Sequence, residues 1–173
     1  MDAAGSARAE IASAIDRLST AQARTETLAE LRIPRRIGPL DRAPRLVPLA
    51  EVWRLGVLLL ADDPDGEGLL FATGSVTRAR EPRHPNFTSV SGEERREVRE
   101  AARRSGFASG HTVNYDAVAL PLDETLGTAG PLVLRDGSLF VSWNGSRAVD
   151  SLTPFADYLA ERVELLADPP PGA

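Results

Sequence analysis

A short polar cluster in the second half of the chain has the residue types of an acyl-transfer site. Ser109, His111, Asn114 and Asp116 lie at the entrance to a predicted strand. Acyl transfer needs a nucleophile, a base and an orienting carboxylate in one chain of hydrogen bonds. Alternate residues of a strand project to opposite faces, however, which places Asn114 and Asp116 away from His111. The pattern therefore allows either a catalytic set or a polar turn, and the strand geometry favours the turn.

A second group of side chains has the spacing of an anion-binding stripe. Arg95, Arg99 and Arg103 recur every four residues in a predicted helix and therefore lie on one of its faces. Three glutamates on the same helix offset much of this charge: Glu93, Glu97 and Glu100. The stripe is consistent with an anion-binding face or with a salt-bridged, solvated surface, and the glutamates favour the second.

The composition excludes several reaction classes. The 173 residues include no Cys, and all 20 basic side chains are Arg. Without Cys there are no disulfides, thiolate nucleophiles or thiolate metal sites. Without Lys there is no Schiff base, phosphate-loop lysine or Ser-x-x-Lys pair. With only His84 and His111 as imidazoles, we expect neither a metal site nor a cofactor.

Charge and hydropathy set expectations for location and partners. The net charge of -5 provides no general attraction to nucleic acid or to anionic membranes. No apolar run approaches the roughly 18 residues of a spanning helix, and the N-terminus has no pattern of a secretory signal. The sequence predicts a cytoplasmic protein that binds neither nucleic acid nor membranes. Its partner is an unidentified small molecule or protein.

Hydrophobic periodicity predicts an N-terminal, a central and a C-terminal helix. The first covers residues 1–31, as one helix or with an interruption near Thr20, and is stopped by Pro34. The second opens at a capping box that starts at Ser91 and ends before Gly106. The third is capped by Thr153. Between the first helix and the sheet, residues 32–48 contain five Arg and four Pro, which predicts an extended connector.

Two hairpins are predicted. Val52–Glu81 contains two apolar runs around a polar turn, and the first run is apolar on both faces, as in a covered central sheet. Asp136-Gly137 between apolar runs is typical of a type I′ turn, which pairs Leu134 with Leu139 and Val133 with Phe140.

Together these elements predict an α+β fold with an antiparallel sheet of about five to six strands built from hairpins. We expect a single domain over residues 1–173, with the sheet and its helices in 49–167 and a loose tail in 168–173.

Several phrases of the sequence resemble small proteins of high-GC bacteria, some of which carry a glutaminase label. The phrases are WRLGVLLL, LFATGSVTRA, GPLVLRDG and YLAERVELL, together with the Glu- and Arg-rich helix, and the resemblance extends from about Val47 to Leu166. It implies hydrolysis of an amide but brings no catalytic motif. Serine glutaminases use a Ser-x-x-Lys pair and the amidotransferase type uses a Cys, and this chain has neither.

Two functional hypotheses follow. The first is a non-catalytic α+β module that binds a partner or a small molecule. The second is a small-molecule amide hydrolase that uses His111 with Asp116 or Ser109. The scarcity of titratable groups favours the module. A homodimer is also predicted, because the apolar stripe of the first helix, with Ile11 and Ile15, is longer than one small sheet needs.

Overall fold

The computed structural model describes residues 2–34, 43–62, 69–79 and 90–170, with only the backbone for residues 90 and 91. Within these ranges the chain forms three α-helices, one 3₁₀ helix and ten strands. The helices are α1 (Ala3–Thr20), α2 (Val90–Arg104), α3 (Phe155–Ala167) and the 3₁₀ helix (Val149–Ser151). The strands are β1 (Glu26–Arg32), β2 (Arg45–Leu55), β3 (Leu58–Ala61), β4 (Leu69–Ala72), β5 (Ser75–Arg78), β6 (Thr112–Tyr115), β7 (Val118–Ala119), β8 (Leu132–Arg135), β9 (Ser138–Ser142) and β10 (Leu152–Pro154).

The strands form two sheets, which confirms the predicted α+β class. Seven strands follow the order β5-β6-β1-β2-β3-β4-β7, and the other three follow the order β10-β9-β8. The sheets are mostly antiparallel, but β1 and β6 run parallel, with Thr27 beside Val113. More strands form than the five to six predicted. In the described part of the chain, no helix is long and apolar enough to cross a membrane.

The chain divides into two compact units. Unit 1 comprises Met1–Thr25, Val52–Thr73 and Val118–Ala173, and unit 2 comprises Glu26–Glu51 and Gly74–Ala117. Strand β2 therefore contributes its first part to unit 2 and its last part to unit 1. The single domain expected over residues 1–173 stays a prediction.

The turn at Asp136-Gly137 forms as predicted. Both residues have positive φ, 49° and 76°, and β8 pairs with β9 so that Leu134 lies opposite Leu139 and Val133 lies opposite Phe140. The turn specifies this register by itself, because few residues tolerate two successive positive φ angles. The predicted end of the central helix is confirmed in the same way, since Gly106 has a φ of 87°.

The first predicted hairpin forms as the antiparallel pair of β3 and β4, but its predicted boundaries are wrong. The apolar run that begins at Val52 is not one strand, because β2 ends at Leu55 and β3 begins at Leu58 after a tight turn. Gly56 supplies the φ of +64° that this turn needs. Trp53 therefore pairs with Leu60, and Leu59 faces the opposite side of the sheet from both of them. The second predicted strand is likewise divided, into β4 and β5.

The predicted N-terminal helix forms, but it is shorter than the predicted residues 1–31. Helix α1 ends at Thr20, and Gln22, with a φ of 52°, lies in the left-handed region just beyond it. Residues 26–32 form β1 instead, because parallel pairing with β6 overrides a helical pattern of apolar residues. The predicted connector 32–48 overlaps β1 at Arg32 and β2 from Arg45 onwards, and its residues 35–42 lie outside the described ranges.

The core of unit 1 includes the apolar stripe of α1. Ile11 and Leu18 are fully buried in the same cluster as Leu58 and Leu60. Helix α3 completes this core with the residues predicted for its buried stripe, Phe155, Tyr158, Leu159 and Val163. The α1 stripe is thus covered within the chain, and because the helix ends at Thr20 it lacks the unused helical length on which the predicted dimer interface rested.

The core of unit 2 is smaller. Its buried members are Ala29, Leu46, Ala79, Ala102 and Val113. The small side chain of Ala102 allows α2 to approach the sheet closely, because little volume separates the two backbones. Unit 2 therefore holds β1, β6 and α2, and all of the predicted site residues lie within it.

Candidate functional site

The structure does not assemble the four predicted catalytic residues into one group. Ser109 is exposed in a loop, and Asp116 is exposed with a φ of 56°. Asn114 is buried on β6, and His111 is half-buried just before that strand. The side-chain hydrogen bonds described for His111 and Asn114 involve Thr27 and Glu26, which lie outside the predicted set.

His111 belongs to a group of three polar side chains, which we call the Thr27 cluster: Glu51, Thr27 and His111. The Thr27 Oγ1 donates to Glu51 Oε1 at 2.8 Å and lies 2.8 Å from His111 Nε2. The three residues come from β2, β1 and the residue before β6, which are neighbours in the sheet order. Phe107 stacks on the imidazole, with ring centroids 5.9 Å apart and planes inclined by 2°.

The direction of these hydrogen bonds opposes a role for Thr27 as a nucleophile activated by His111. A threonine hydroxyl has one proton, and here that proton is donated to the Glu51 carboxylate. The Thr27 oxygen therefore accepts from His111 Nε2–H. In an acyl-transfer triad the imidazole lies in the middle and receives the proton of the nucleophile. Here the hydroxyl lies in the middle, and His111 acts as a donor.

Access to Thr27 is also closed. The residue is 4% exposed, although Glu51 is exposed. A nucleophilic oxygen must come within about 3–3.5 Å of the substrate carbon, and a hydroxyl that is covered and bonded on both sides does not offer that approach. The Thr27 cluster therefore joins three strands of unit 2 rather than presenting a nucleophile.

Asn114 and Glu26 form a separate polar contact. Asn114 Nδ2 donates to Glu26 Oε2 at 2.7 Å, and Asn114 is 1% exposed. Glu26 precedes Thr27 in β1, so the two side chains project to opposite faces of the sheet. The sheet thus separates this contact from the Thr27 cluster, and His111 and Asn114 cannot act on one substrate atom.

Sequence reasoning missed Thr27, Glu26 and Glu51 as neighbours of the predicted site. Glu26 and Thr27 fell in a segment predicted to be helical, and Glu51 fell just after the connector, at the start of the segment predicted to hold the sheet. Thr27 and His111 are 84 positions apart in the sequence. No local pattern links residues at that separation, so only the parallel pairing of β1 with β6 reveals the contact.

The predicted anion-binding stripe lies on α2 in unit 2. Arg95 and Arg103 are exposed and Arg99 is half-buried. On the same helix Arg104 forms an ion pair with Glu100 at 3.6 Å, which fits a salt-bridged surface. Anion binding by the stripe stays a prediction.

Metal binding has no support within the described ranges. There, no three side chains of His, Cys, Asp or Glu lie close enough together to hold an ion. His84, the other imidazole of the chain, lies outside those ranges.

A pocket of about 490 Å³ lies in unit 1 beside the start of α1. Its lining includes Leu126, Leu134, Arg8 and Asp123. Hydrogen bonds from Thr125 lower the pKa of Asp123. The pocket combines apolar and charged side chains and includes none of the predicted site residues.

The loop between β9 and β10, residues 143–151, exposes two large apolar side chains of unit 1. We call it the Trp143 loop. Trp143 is 60% exposed and Val149 is 61% exposed, whereas Trp53, the other tryptophan of the chain, is 8% exposed. Sequence reasoning placed Trp143 at the end of a strand and missed this exposure.

Internal hydrogen bonds fix the shape of the Trp143 loop. Asn144 Oδ1 accepts from the Ser146 backbone N–H at 2.9 Å, and the Ser142 hydroxyl donates to the Ser146 carbonyl at 2.6 Å. The Ser146 hydroxyl in turn accepts from the Ala148 N–H at 3.2 Å. The loop ends are held by β9 and β10, which pair Ser142 with Leu152. Trp143 is therefore presented on an ordered loop.

The structural role of the Thr27 cluster is testable by an isosteric substitution. Thr27→Val removes the hydroxyl and leaves Glu51 and His111 without this partner, so we expect the free energy of unfolding to fall by about 1–3 kcal/mol. Urea denaturation measures the change. Thr77→Val is the matched control, because Thr77 is a half-buried strand residue without a hydrogen bond from its hydroxyl to any described residue. Equal stability of the two variants would contradict the strand-joining role.

Comparisons with known proteins give no relative to set beside this geometry: no family model, curated protein or solved structure matches the chain.

Proposed function

We propose that this chain is a non-catalytic α+β module that binds another protein through the Trp143 loop. The observation that supports the proposal is a tryptophan 60% exposed on a loop with three internal side-chain hydrogen bonds. Tryptophan is among the residues that contribute most to the free energy of protein association. Its exposure to water has no benefit for the fold, so a binding role accounts for it better.

The order of the loop strengthens this proposal. Association costs free energy when a flexible segment must be immobilised, and a segment that is already ordered avoids much of that cost. Ser142, Asn144 and Ser146 provide this order before any partner arrives. Arg147 is exposed next to them, and arginine is also enriched among residues that dominate binding.

The alternative, an amide hydrolase, has weaker support. The described partner of His111 Nε2 is the buried Thr27 hydroxyl, and the proposed partners Ser109 and Asp116 are exposed residues without a described hydrogen bond to the imidazole. We therefore expect the purified protein to hydrolyse neither glutamine nor related amides. Turnover that falls about tenfold or more with His111→Ala, equivalent to roughly 1.4 kcal/mol of transition-state stabilisation, would favour the hydrolase instead.

Selection from a random peptide library displayed on phage tests the binding role and does not require the partner to be identified. We expect the peptides enriched on the immobilised protein to bind at least about tenfold more weakly to Trp143→Ala. A tenfold change equals roughly 1.4 kcal/mol of binding free energy, and truncating a residue that dominates binding costs more than that. The matched control is Leu165→Ala, which truncates a residue of α3 that is 48% exposed. Peptides that bind both variants as well as the natural chain would contradict the proposal.

A further inference from the structure

We infer that the partner of the Trp143 loop is the same loop of a second copy of this chain, related by a two-fold axis. The inference rests on the proposed function and names the partner of that site. It differs from the homodimer expected from the sequence, whose interface was assigned to α1. The apolar stripe of that helix is buried within unit 1, so the stripe is not available to a second copy.

The Trp143 loop presents both signs of charge beside its apolar side chains. Arg147 and Asp150 are exposed, and neither forms an ion pair with a described residue. Trp143 and Val149 are the large apolar side chains of the same loop. The surface thus combines an apolar part with one cation and one anion whose charges are not used within the described part of the chain.

A surface of this composition is complementary to itself. In a two-fold interface each patch meets an identical patch, so a residue that contacts a second residue is contacted by it in return. Arg147 of one copy can then face the partner subunit's Asp150, and the reciprocal pair forms at the same time. Each dimer thus gains two ion pairs, because the contact between Arg147 and Asp150 forms twice across the axis. The Trp143 and Val149 side chains of both copies are removed from water in the interface.

The size of the loop limits the strength of the contact. A stable interface buries about 800 Å² on each partner, more than a nine-residue loop provides. Ion pairs at the rim of an interface contribute little and are screened by salt. We therefore expect a reversible dimer that forms at about micromolar concentration or above and weakens as the ionic strength rises.

Sedimentation velocity over a range of concentrations tests this dimer. The natural chain should change from the mass of one copy, 18.5 kDa, towards the mass of two copies as its concentration rises. We expect Trp143→Ala to weaken dimerisation at least about tenfold and Leu165→Ala to leave it unchanged. Thermal unfolding of each variant shows whether its fold is retained.

Charge reversal identifies the two-fold pairing itself. Arg147→Asp places like charges opposite each other in both ion pairs, and so does Asp150→Arg. Each variant should dimerise more weakly at low ionic strength. The double variant Arg147→Asp with Asp150→Arg restores opposite charges across the axis, so its dissociation constant should return close to that of the natural chain.

Three results would overturn the inference. The natural chain could remain a single copy at every concentration, or Trp143→Ala and Leu165→Ala could weaken dimerisation equally. The double variant could also lose as much free energy of dimerisation as its two single changes added together. The peptide selection separates this failure from that of the proposed function. A chain that stays monomeric while its selected peptides depend on Trp143 binds a different partner through the same loop. A chain that neither dimerises nor binds its selected peptides through Trp143 would overturn the proposed function as well.

Discussion

Replacing Leu60 with Ala is expected to lower the free energy of unfolding by about 2–5 kcal/mol. Leu60 is fully buried in the core of unit 1. It lies on β3 between Trp53 on β2 and Leu70 on β4, its partners in the two strand pairs. Truncation removes the apolar contacts of the side chain and leaves a cavity that both neighbouring strands border. Urea denaturation at one pH measures the change.

Leu69→Ala is the control for this substitution. Leu69 precedes Leu70 on β4 but is 45% exposed, so its truncation should cost about 1 kcal/mol or less, because about half of its surface is already in water. If both substitutions lowered stability equally, the side of the sheet occupied by Leu60 would not be the packed one.

Replacing Tyr158 with Phe is expected to lower the free energy of unfolding by about 2–6 kcal/mol, since each of two backbone groups left without a partner costs about 1–3 kcal/mol. The Tyr158 hydroxyl donates to the Leu55 carbonyl at 3.0 Å and accepts from the Val57 N–H at 3.0 Å. It thereby joins α3 to both sides of the turn at Gly56. Phenylalanine keeps the ring, including its contact with the Arg162 guanidinium at 5.4 Å.

Tyr115→Phe is the matched control, because it makes the same chemical change elsewhere. Tyr115 is half-buried on β6, and its hydroxyl forms no hydrogen bond with a described residue. Its loss should change stability by about 0.5 kcal/mol or less. Thermal and urea unfolding of the two variants compare them directly. A Tyr158→Phe protein as stable as Tyr115→Phe would show that the turn does not depend on the hydroxyl.

The turn at Gly56 shows why the boundaries of the first hairpin were predicted incorrectly. The residues around it read as one continuous apolar run, in which a single glycine is a weak signal for a break. The turn is stabilised by Tyr158, a residue about 100 positions later in the sequence. A Cβ at position 56 would overlap that hydroxyl. Glycine is therefore needed at position 56 because of its contact with Tyr158, and a short stretch of sequence around Gly56 does not reveal that contact.

The predicted catalytic set shows the same limit for a functional site. The sequence placed Ser109, His111, Asn114 and Asp116 close together, and the alternation of β6 correctly indicated that His111 and Asn114 face opposite ways. The predicted set did not include Thr27, whose hydroxyl is the hydrogen-bond partner of the His111 imidazole. Only the structure shows that the described partner of the imidazole is Thr27 and neither Ser109 nor Asp116, and this is the main argument against the predicted catalytic set.

The sequence alone determined the features whose cause lies within a few residues. Asp136 and Gly137 specify their turn through positive φ, Gly106 lies just beyond the end of α2 in the same conformation, and the periodicity of α3 selects its buried side. Tertiary structure alone decided the strand identity of β1, the Thr27 cluster and the exposure of Trp143. Each of these depends on pairing or covering by segments far away in the chain, and the free energy of such contacts can exceed the local preference of a segment for helix or strand.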